Sequence, residues 1–459
     1  MIDNGQIKLF PFQEETILEI EDFRGRALIA LEMGLGKTLI SLKWLKKHPQ
    51  YLPALIVCPA NVKFNWRHEA YNYVRLQSSV CEGQKPPTFN QHDFSTQSPL
   101  TIINYDILTY WIDYLKKLDL KTIVFDESQY LQNPQSKRTK AAKSLSGKFK
   151  QVLALSGTPL TNKPSELWPT LNILWPESYN SFWSYAQDFC NPRYIFGRWD
   201  FSGSSNLPEL HRQLKLKGMI RRRKVDVLKE LPEKVRRIIP CELSDPKEYQ
   251  EASTDFISWI RKNKGHKIRS TLKAEKLVMV GELLRLVAKL KMRAVVDWAN
   301  KFLEETDEKL ILFAFHKKAI KVLKNRVNAK NVVIDGSVTG RNRELAVRQF
   351  QNDPNTRLFI GNIKAAGIGI TLTAASTIGF AEIYWVPGSH IQAEDRPHRI
   401  GQKNTVWINY LIAGNTIEED LCKILQKKQK VISAVLDGGS NPQDLNLYKE
   451  LLKVIERKI

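Results

Sequence analysis

One glycine-rich turn constrains this chain more than any other feature. The apolar run Ala27-Leu28-Ile29 leads into Ala30-Leu31-Glu32-Met33-Gly34-Leu35-Gly36-Lys37-Thr38. Leu39, Leu42 and Leu45 then recur at helical spacing, with Ile40 beside Trp44. Strand, glycine turn and helix in that order surround one anion with backbone N–H groups and a positive helix end. A turn of this kind cradles phosphate: Lys37 would reach the β and γ groups, and the Thr38 hydroxyl would sit on Mg²⁺. Leu31 stands where the strict eight-residue pattern has its first glycine.

The runs that follow fit a parallel sheet. Leu55-Ile56-Val57-Cys58-Pro59, Thr101-Ile102-Ile103-Asn104-Tyr105, Thr122-Ile123-Val124-Phe125 and Val152-Leu153-Ala154-Leu155 are apolar throughout and separated by helical stretches. Strands buried on both faces read this way, so the expected class is α/β with a doubly wound sheet. A second alternation starts at Lys309-Leu310-Ile311-Leu312-Phe313-Ala314-Phe315 and continues through Val332–Ile334, Arg357–Ile360 and Val406–Tyr410, without a phosphate loop of its own.

The run at 122–125 ends in Asp126-Glu127, where α/β sheets carry their sites. Asp126 can hold Mg²⁺ through water, and Glu127 can orient and deprotonate an attacking water. Ser156-Gly157-Thr158-Pro159 closes the next strand. Upstream, Phe12-Gln13 offers an amide that both donates and accepts, as an adenine edge requires.

Charge indicates the partner. Among 459 residues, 70 Lys and Arg against 48 Asp and Glu leave a net charge of +22, which points to a polyanion and to nucleic acid first. No apolar run approaches the roughly 20 residues that span a bilayer. The first six residues lack a basic-then-apolar pattern, so no secretory signal is expected. Cys58, Cys81, Cys190, Cys241 and Cys422 form no C-x-x-C pair, which fits a reducing, intracellular compartment such as cytoplasm, nucleoid or nucleus.

Together these residues resemble the Snf2 (Swi2/Snf2) family of superfamily 2 helicase-like ATPases. Glu32–Thr38 corresponds to motif I, Asp126-Glu127-Ser128-Gln129 to motif II and Leu155–Pro159 to motif III. Phe12-Gln13 and Cys58-Pro59 fall at the Q motif and motif Ia. Gln129 stands where the family usually has His and can still hydrogen-bond toward motif III. In the second half, Ala365-Ala366-Gly367-Ile368-Gly369-Ile370-Thr371-Leu372 is similar to motif V. Gln392-Ala393-Glu394-Asp395-Arg396-Pro397-His398-Arg399-Ile400-Gly401-Gln402 is similar to motif VI, with Pro397 as the odd position. The wording of this half is nearest to the family's annealing-helicase branch.

The resemblance implies two RecA-like lobes. The expected lobe 1 is 1–240, with an aromatic-rich helical insertion at 162–216. A basic helical protrusion at 241–305 follows, carrying Arg261, Lys262, Lys264, Lys267, Arg269, Lys273 and Lys276, then lobe 2 at 306–436 and a helical tail at 437–459. The implied cofactors are ATP and Mg²⁺. Glu127, Arg396 and Arg399 are the expected catalytic residues. Gln13, Gly34, Gly36, Lys37, Thr38, Asp126, Gly369 and Gln392 are expected to hold the nucleotide, with Thr38 and Asp126 on the metal. If residues 392–402 are helical, Arg396 and Arg399 share a face and can both reach the γ-phosphate. The partner expected is double-stranded or branched DNA, handled by a monomeric motor. A strand-separating helicase, the motor subunit of a restriction or defence complex, and an ATP-switched DNA-binding module without turnover are the alternatives.

Two regions leave their role open. Arg221-Arg222-Arg223-Lys224 is either a solvated face or a phosphate-tracking tract. Trp168, Trp175, Phe182, Trp183, Tyr185, Phe196 and Trp199 read mainly as insertion core, with DNA stacking as the other option. Gly203-Ser204-Ser205 is the nearest approach to a flexible tract.

Overall fold

The computed structural model describes residues 2–3, 6–88, 98–195, 197–255, 272–338, 340–366 and 369–438. The chain divides into two units, one of Met1–Lys229 with residues 431–438 and one of Glu230–Lys430. Each is built on a wholly parallel sheet.

The first sheet has seven strands in the order Met219–Arg222, Arg26–Leu31, Gln151–Leu155, Thr122–Asp126, Ala54–Cys58, Leu100–Asn104 and Ser78–Val80. Its central strands are buried along almost their whole length, as their unbroken apolar sequences require. Two strands escaped the sequence pattern. Ser78–Val80 is a short, half-buried edge, and Met219–Arg222 carries the start of the basic run.

Most of that basic run is engaged with protein partners. Arg221 donates to the Ala30 carbonyl at 2.9 Å and pairs with Asp437 at 2.7 Å. Arg222 pairs with Glu19 at 2.8 Å, Arg223 pairs with Asp226 at 2.8 Å, and Lys224 is buried. Arg221 and Arg222 lock an edge strand to its surroundings, while Arg223 stays exposed beyond its end.

The second sheet has six strands in the order Lys234–Pro240, Val406–Ile412, Thr377–Phe380, Leu310–Ala314, Leu358–Asn362 and Asn331–Ile334. Alternate residues of one strand feed two separate cores. Ile311 and Phe313 pack with Phe359 and Phe380, whereas Leu310, Leu312 and Ala314 pack with Val295, Ala299 and Leu323. Helices therefore cover both faces, as expected of a doubly wound sheet.

The expected boundaries shift in three places. Residues 234–240 belong to the second sheet, because Lys234–Pro240 pairs with Val406–Ile412 over seven residues. Residues 279–303 form no free protrusion; the helix Leu272–Glu305 buries Val287, Val295, Ala299 and Leu303 in the second unit. Residues 431–438 rejoin the first unit, where the Val435 carbonyl lies 2.8 Å from His211 Nδ1. Arg261, Lys262, Lys264, Lys267, Arg269, Phe196 and most of the tail lie outside the described residues, as do the side chains of Lys273 and Lys276.

Candidate active site

The phosphate loop joins Arg26–Leu31 to the helix Lys37–Lys47 with Gly36 in the left-handed region at φ +80°. The backbone requires glycine here, and a Cβ on Gly36 would also meet Gln13 Nε2 at 2.5 Å, displacing that side chain. Gly34 is left-handed too, at φ +86°. Gln13 braces this turn: its Oε1 accepts from Phe10 N at 3.0 Å and its Nε2 donates to the Leu35 carbonyl at 3.0 Å. Lys37 is buried, with Nζ donating to the Leu31 carbonyl at 2.9 Å, and Thr38 stands in the first turn of the helix.

Asp126 and Glu127 are both buried at the carboxyl end of the central strand. Asp126 Oδ2 accepts from the Trp66 indole at 2.8 Å, Oδ1 accepts from Glu127 N at 3.0 Å, and its carbonyl accepts from the Tyr105 hydroxyl at 2.8 Å. Burial, then the neighbouring Glu127 charge, pushes the Asp126 carboxyl up to about 7. A cation supplied at this point relieves both causes. Hard oxygens from Asp126 and Thr38 match the ligand preference of Mg²⁺, so the donor set fits it.

Glu127 adopts a left-handed backbone at φ +49°, an uncommon conformation for a residue with a side chain. It starts a line of side-chain bonds. Gln129 Nε2 donates to Glu127 Oε2 at 2.8 Å, Ser156 Oγ donates to Gln129 Oε1 at 2.6 Å, and Thr158 N donates to Ser156 Oγ at 3.0 Å. The glutamine in the histidine position thus bridges motif II to motif III directly.

The second unit presents its own set. Gly369 is left-handed at φ +70° and Gln392 is buried in the helix Pro387–Glu394. That helix stops before the arginines, so the shared helical face expected for Arg396 and Arg399 does not exist. Pro397 has no N–H to continue the ladder, and the segment turns instead. Arg396 is 1% exposed; its Nε donates to the Gln392 carbonyl at 2.8 Å and its Nη1 to the Ile370 carbonyl at 3.2 Å. It ties the helix end to the motif V loop. Arg399 is the more accessible one, donating to the Asp395 carbonyl at 3.0 Å and to Thr371 Oγ1 at 3.1 Å.

An ion cluster around the buried Glu394 supports this loop. Glu394 accepts from Arg236 Nη2 at 2.6 Å and from the Tyr410 hydroxyl at 2.8 Å, with Lys234 at 3.2 Å; Lys234 also reaches Asp395 at 3.0 Å. Burial alone would raise the Glu394 carboxyl, but Lys234 and Arg236 hold it down at about 2. Sequence reasoning missed Trp66, Tyr105 and this cluster. Only the last had a signal, since Lys234 and Arg236 sit two apart and share a face in a strand. The five cysteines are all free, four of them buried. Among the described residues no helix is long and apolar enough to cross a membrane.

A family profile described as the SNF2-related domain matches residues 22–295, and one described as the helicase conserved C-terminal domain matches residues 291–401. The human "DNA annealing helicase and endonuclease ZRANB3" is 35% identical over 449 residues, covering 95% of this chain and 41% of that protein. A Caenorhabditis elegans homologue of "SWI/SNF-related matrix-associated actin-dependent regulator of chromatin subfamily A-like protein 1" is 34% identical, covering 93% of this chain and 62% of its own length. The chain therefore spans less than two thirds of these curated relatives. The solved Sulfolobus solfataricus SWI2/SNF2 ATPase core in complex with dsDNA aligns with a TM-score of 0.44 at 24% identity, over 100% of this chain and 99% of that one.

Proposed function

The chain belongs to the SNF2-related family, and from that premise we propose that it is a DNA-dependent ATPase that tracks along duplex DNA and remodels or anneals branched DNA. One observation carries the reading: the line Glu127–Gln129–Ser156 beside Asp126, within the first unit that also holds Lys37. In this reading, the loop's N–H groups and Lys37 hold the phosphates. Thr38 and Asp126 would hold Mg²⁺, which neutralises charge on the β and γ oxygens. Glu127 takes a proton from water as its oxygen attacks the γ-phosphorus and the bond to the β-bridging oxygen breaks. Gln13 offers its remaining amide hydrogen to the base.

Arg399, with Gly369 and Gln392 shaping the loop behind it, completes the charge stabilisation, while Arg396 keeps that loop in place. Exchanging the Thr371 hydroxyl and a carbonyl for phosphate oxygens is favourable for a guanidinium, because charge-assisted bonds are the stronger ones. The net charge of +22 supports contact with a DNA backbone, which implies binding without sequence preference and steep salt dependence.

Phosphate release measured with duplex, single-stranded and forked DNA, and with RNA, tests the reading. Lys37→Ala and Glu127→Gln should each lower DNA-stimulated turnover by at least about 10²-fold, the scale of one lost transition-state contact. Undiminished turnover in both variants would refute the site. Displacement of a triplex strand without separation of the duplex is the expected sign of translocation.

A further inference from the structure

The 162–216 insertion is not simply core. Six aromatic side chains run through it edge to face: Trp168–Phe182 at 5.3 Å, Phe182–Phe201 at 4.9 Å, Phe201–Trp183 at 6.1 Å, Trp183–Trp199 at 4.6 Å and Trp199–Tyr194 at 5.3 Å between centroids. The row begins at a cleft of about 330 Å³ lined by Trp168, Phe182, Lys140 and Lys143. Lys143 lies 5.8 Å from the Trp168 ring centre, and the buried Trp168 indole N–H has no acceptor among the described residues. The row ends on an antiparallel hairpin, Arg193–Ile195 paired with Arg198–Asp200, where Tyr194 is 65% exposed and Trp199 49%.

Aromatic side chains this exposed lose hydrophobic stabilisation unless something covers them. The hairpin leads into a packed, hydrogen-bonded segment. Its return strand enters Gly203-Ser204-Ser205, the tract whose composition reads as flexible. A Cβ on Gly203 would meet the Cys190 carbonyl at 2.8 Å, and Ser204 is buried. Ser205 Oγ donates to the Asp188 carbonyl at 2.8 Å and accepts from Asn191 N at 3.2 Å. Asp200 is turned onto Ser202, with Oδ2 accepting from its hydroxyl at 2.9 Å. The charges along the row are Lys140, Lys143, Arg193 and Arg198, with Asp200 directly across the hairpin from Arg193.

We propose that the exposed end of this row, Tyr194 and Trp199, is a stacking platform for unpaired bases, with Lys140, Lys143 and Arg198 along the row meeting the phosphates of the same strand. A π face with cations beside it fits a single-stranded nucleic acid, since every base can stack on an exposed ring regardless of sequence. The inference rests on the reading of the chain as a DNA-tracking ATPase and adds to it the part that recognises the open end of a fork.

The test compares a forked DNA, carrying two unpaired arms, with a blunt duplex of equal paired length. Trp199→Ala and Tyr194→Ala should each weaken binding to the fork by roughly five- to a hundred-fold for each base that stacks, and leave the duplex unaffected. Both side chains are exposed, so folding should not suffer; Tyr194→Phe keeps the ring and should bind as the wild type does. A fluorescent adenine analogue in the unpaired arm should be quenched by the wild type and remain bright with the alanine variants. Equal losses on both DNAs, or no loss on either, would overturn the proposal, the second result leaving the row as a protein-docking face. Duplex-stimulated ATP turnover in the wild type is read separately, so failure of the ATPase reading is distinguishable from failure of the platform.

Discussion

The acidic pair of the first unit and the arginine pair of the second are both buried or half-buried, yet they are held in opposite ways. Glu127 bonds to another side chain, Gln129, which bonds to Ser156 in turn. Arg396 bonds to the Gln392 and Ile370 carbonyls, and Arg399 to the Asp395 carbonyl and the Thr371 hydroxyl. A line of side chains can carry a change at one end to the other, because each member can turn. A side chain fixed on carbonyls instead shapes a loop. The comparison sets a line of side-chain bonds in one unit against a loop held through backbone carbonyls in the other.

Replacing the two arginines in turn is the sharpest way to break that comparison. Arg399→Ala should lower DNA-stimulated turnover by about 10³-fold or more, at the lower end for losing an arginine finger, with little change in thermal unfolding. The contrast fails if steady-state phosphate release is unaffected. Acid is the next lever. The Glu394 carboxyl lies at about 2 in the folded chain against an ordinary 4.5, so its contribution is complete above 4.5 and disappears as pH falls toward 2. That contribution is of order 3 kcal/mol. Unfolding followed against pH should show this acid limb in the wild type and a weaker one in Glu394→Gln.

Arg396→Ala should cost about 2–4 kcal/mol of stability, because it leaves the Gln392 and Ile370 carbonyls buried without their donor. Denaturant unfolding checks this, and a stability equal to wild type would show that this tie is not needed. The smallest effect expected is that of Gln129→Ala. Cutting the line of side-chain bonds while leaving both carboxylates in place should reduce DNA stimulation of turnover by about 10-fold and leave basal turnover in the absence of DNA nearly unchanged. Equal reductions in both rates would mean that Gln129 serves Glu127 alone and not the link to Ser156.

Much of this was readable from residue order. The phosphate loop, Asp126-Glu127 and Ser156–Pro159 each end an apolar strand, and the pattern of such strands implies a parallel sheet with its site at their carboxyl ends. Motif VI was recognisable but its conformation was not, because Pro397 only acquires its consequence once the helix is seen to stop at Glu394. The basic run 221–224 was ambiguous for a similar reason. Its partners Glu19, Asp226 and Asp437 include residues some two hundred positions away, which no local pattern connects. The seven-residue strand at 234 was assigned to the wrong lobe because its pairing partner is Val406–Ile412.

Sequence alone determined the fold class and where the candidate residues stand on it, since glycine at a left-handed turn, paired carboxylates after an apolar strand and doubled buried faces are local requirements that residue types reveal. Tertiary structure decided which charges are structural and which are available, and which aromatic side chains are core and which face solvent. Those outcomes depend on what arrives from distant parts of the chain to bury a ring or accept a hydrogen bond, and burial is a property of the packed fold that no single segment carries.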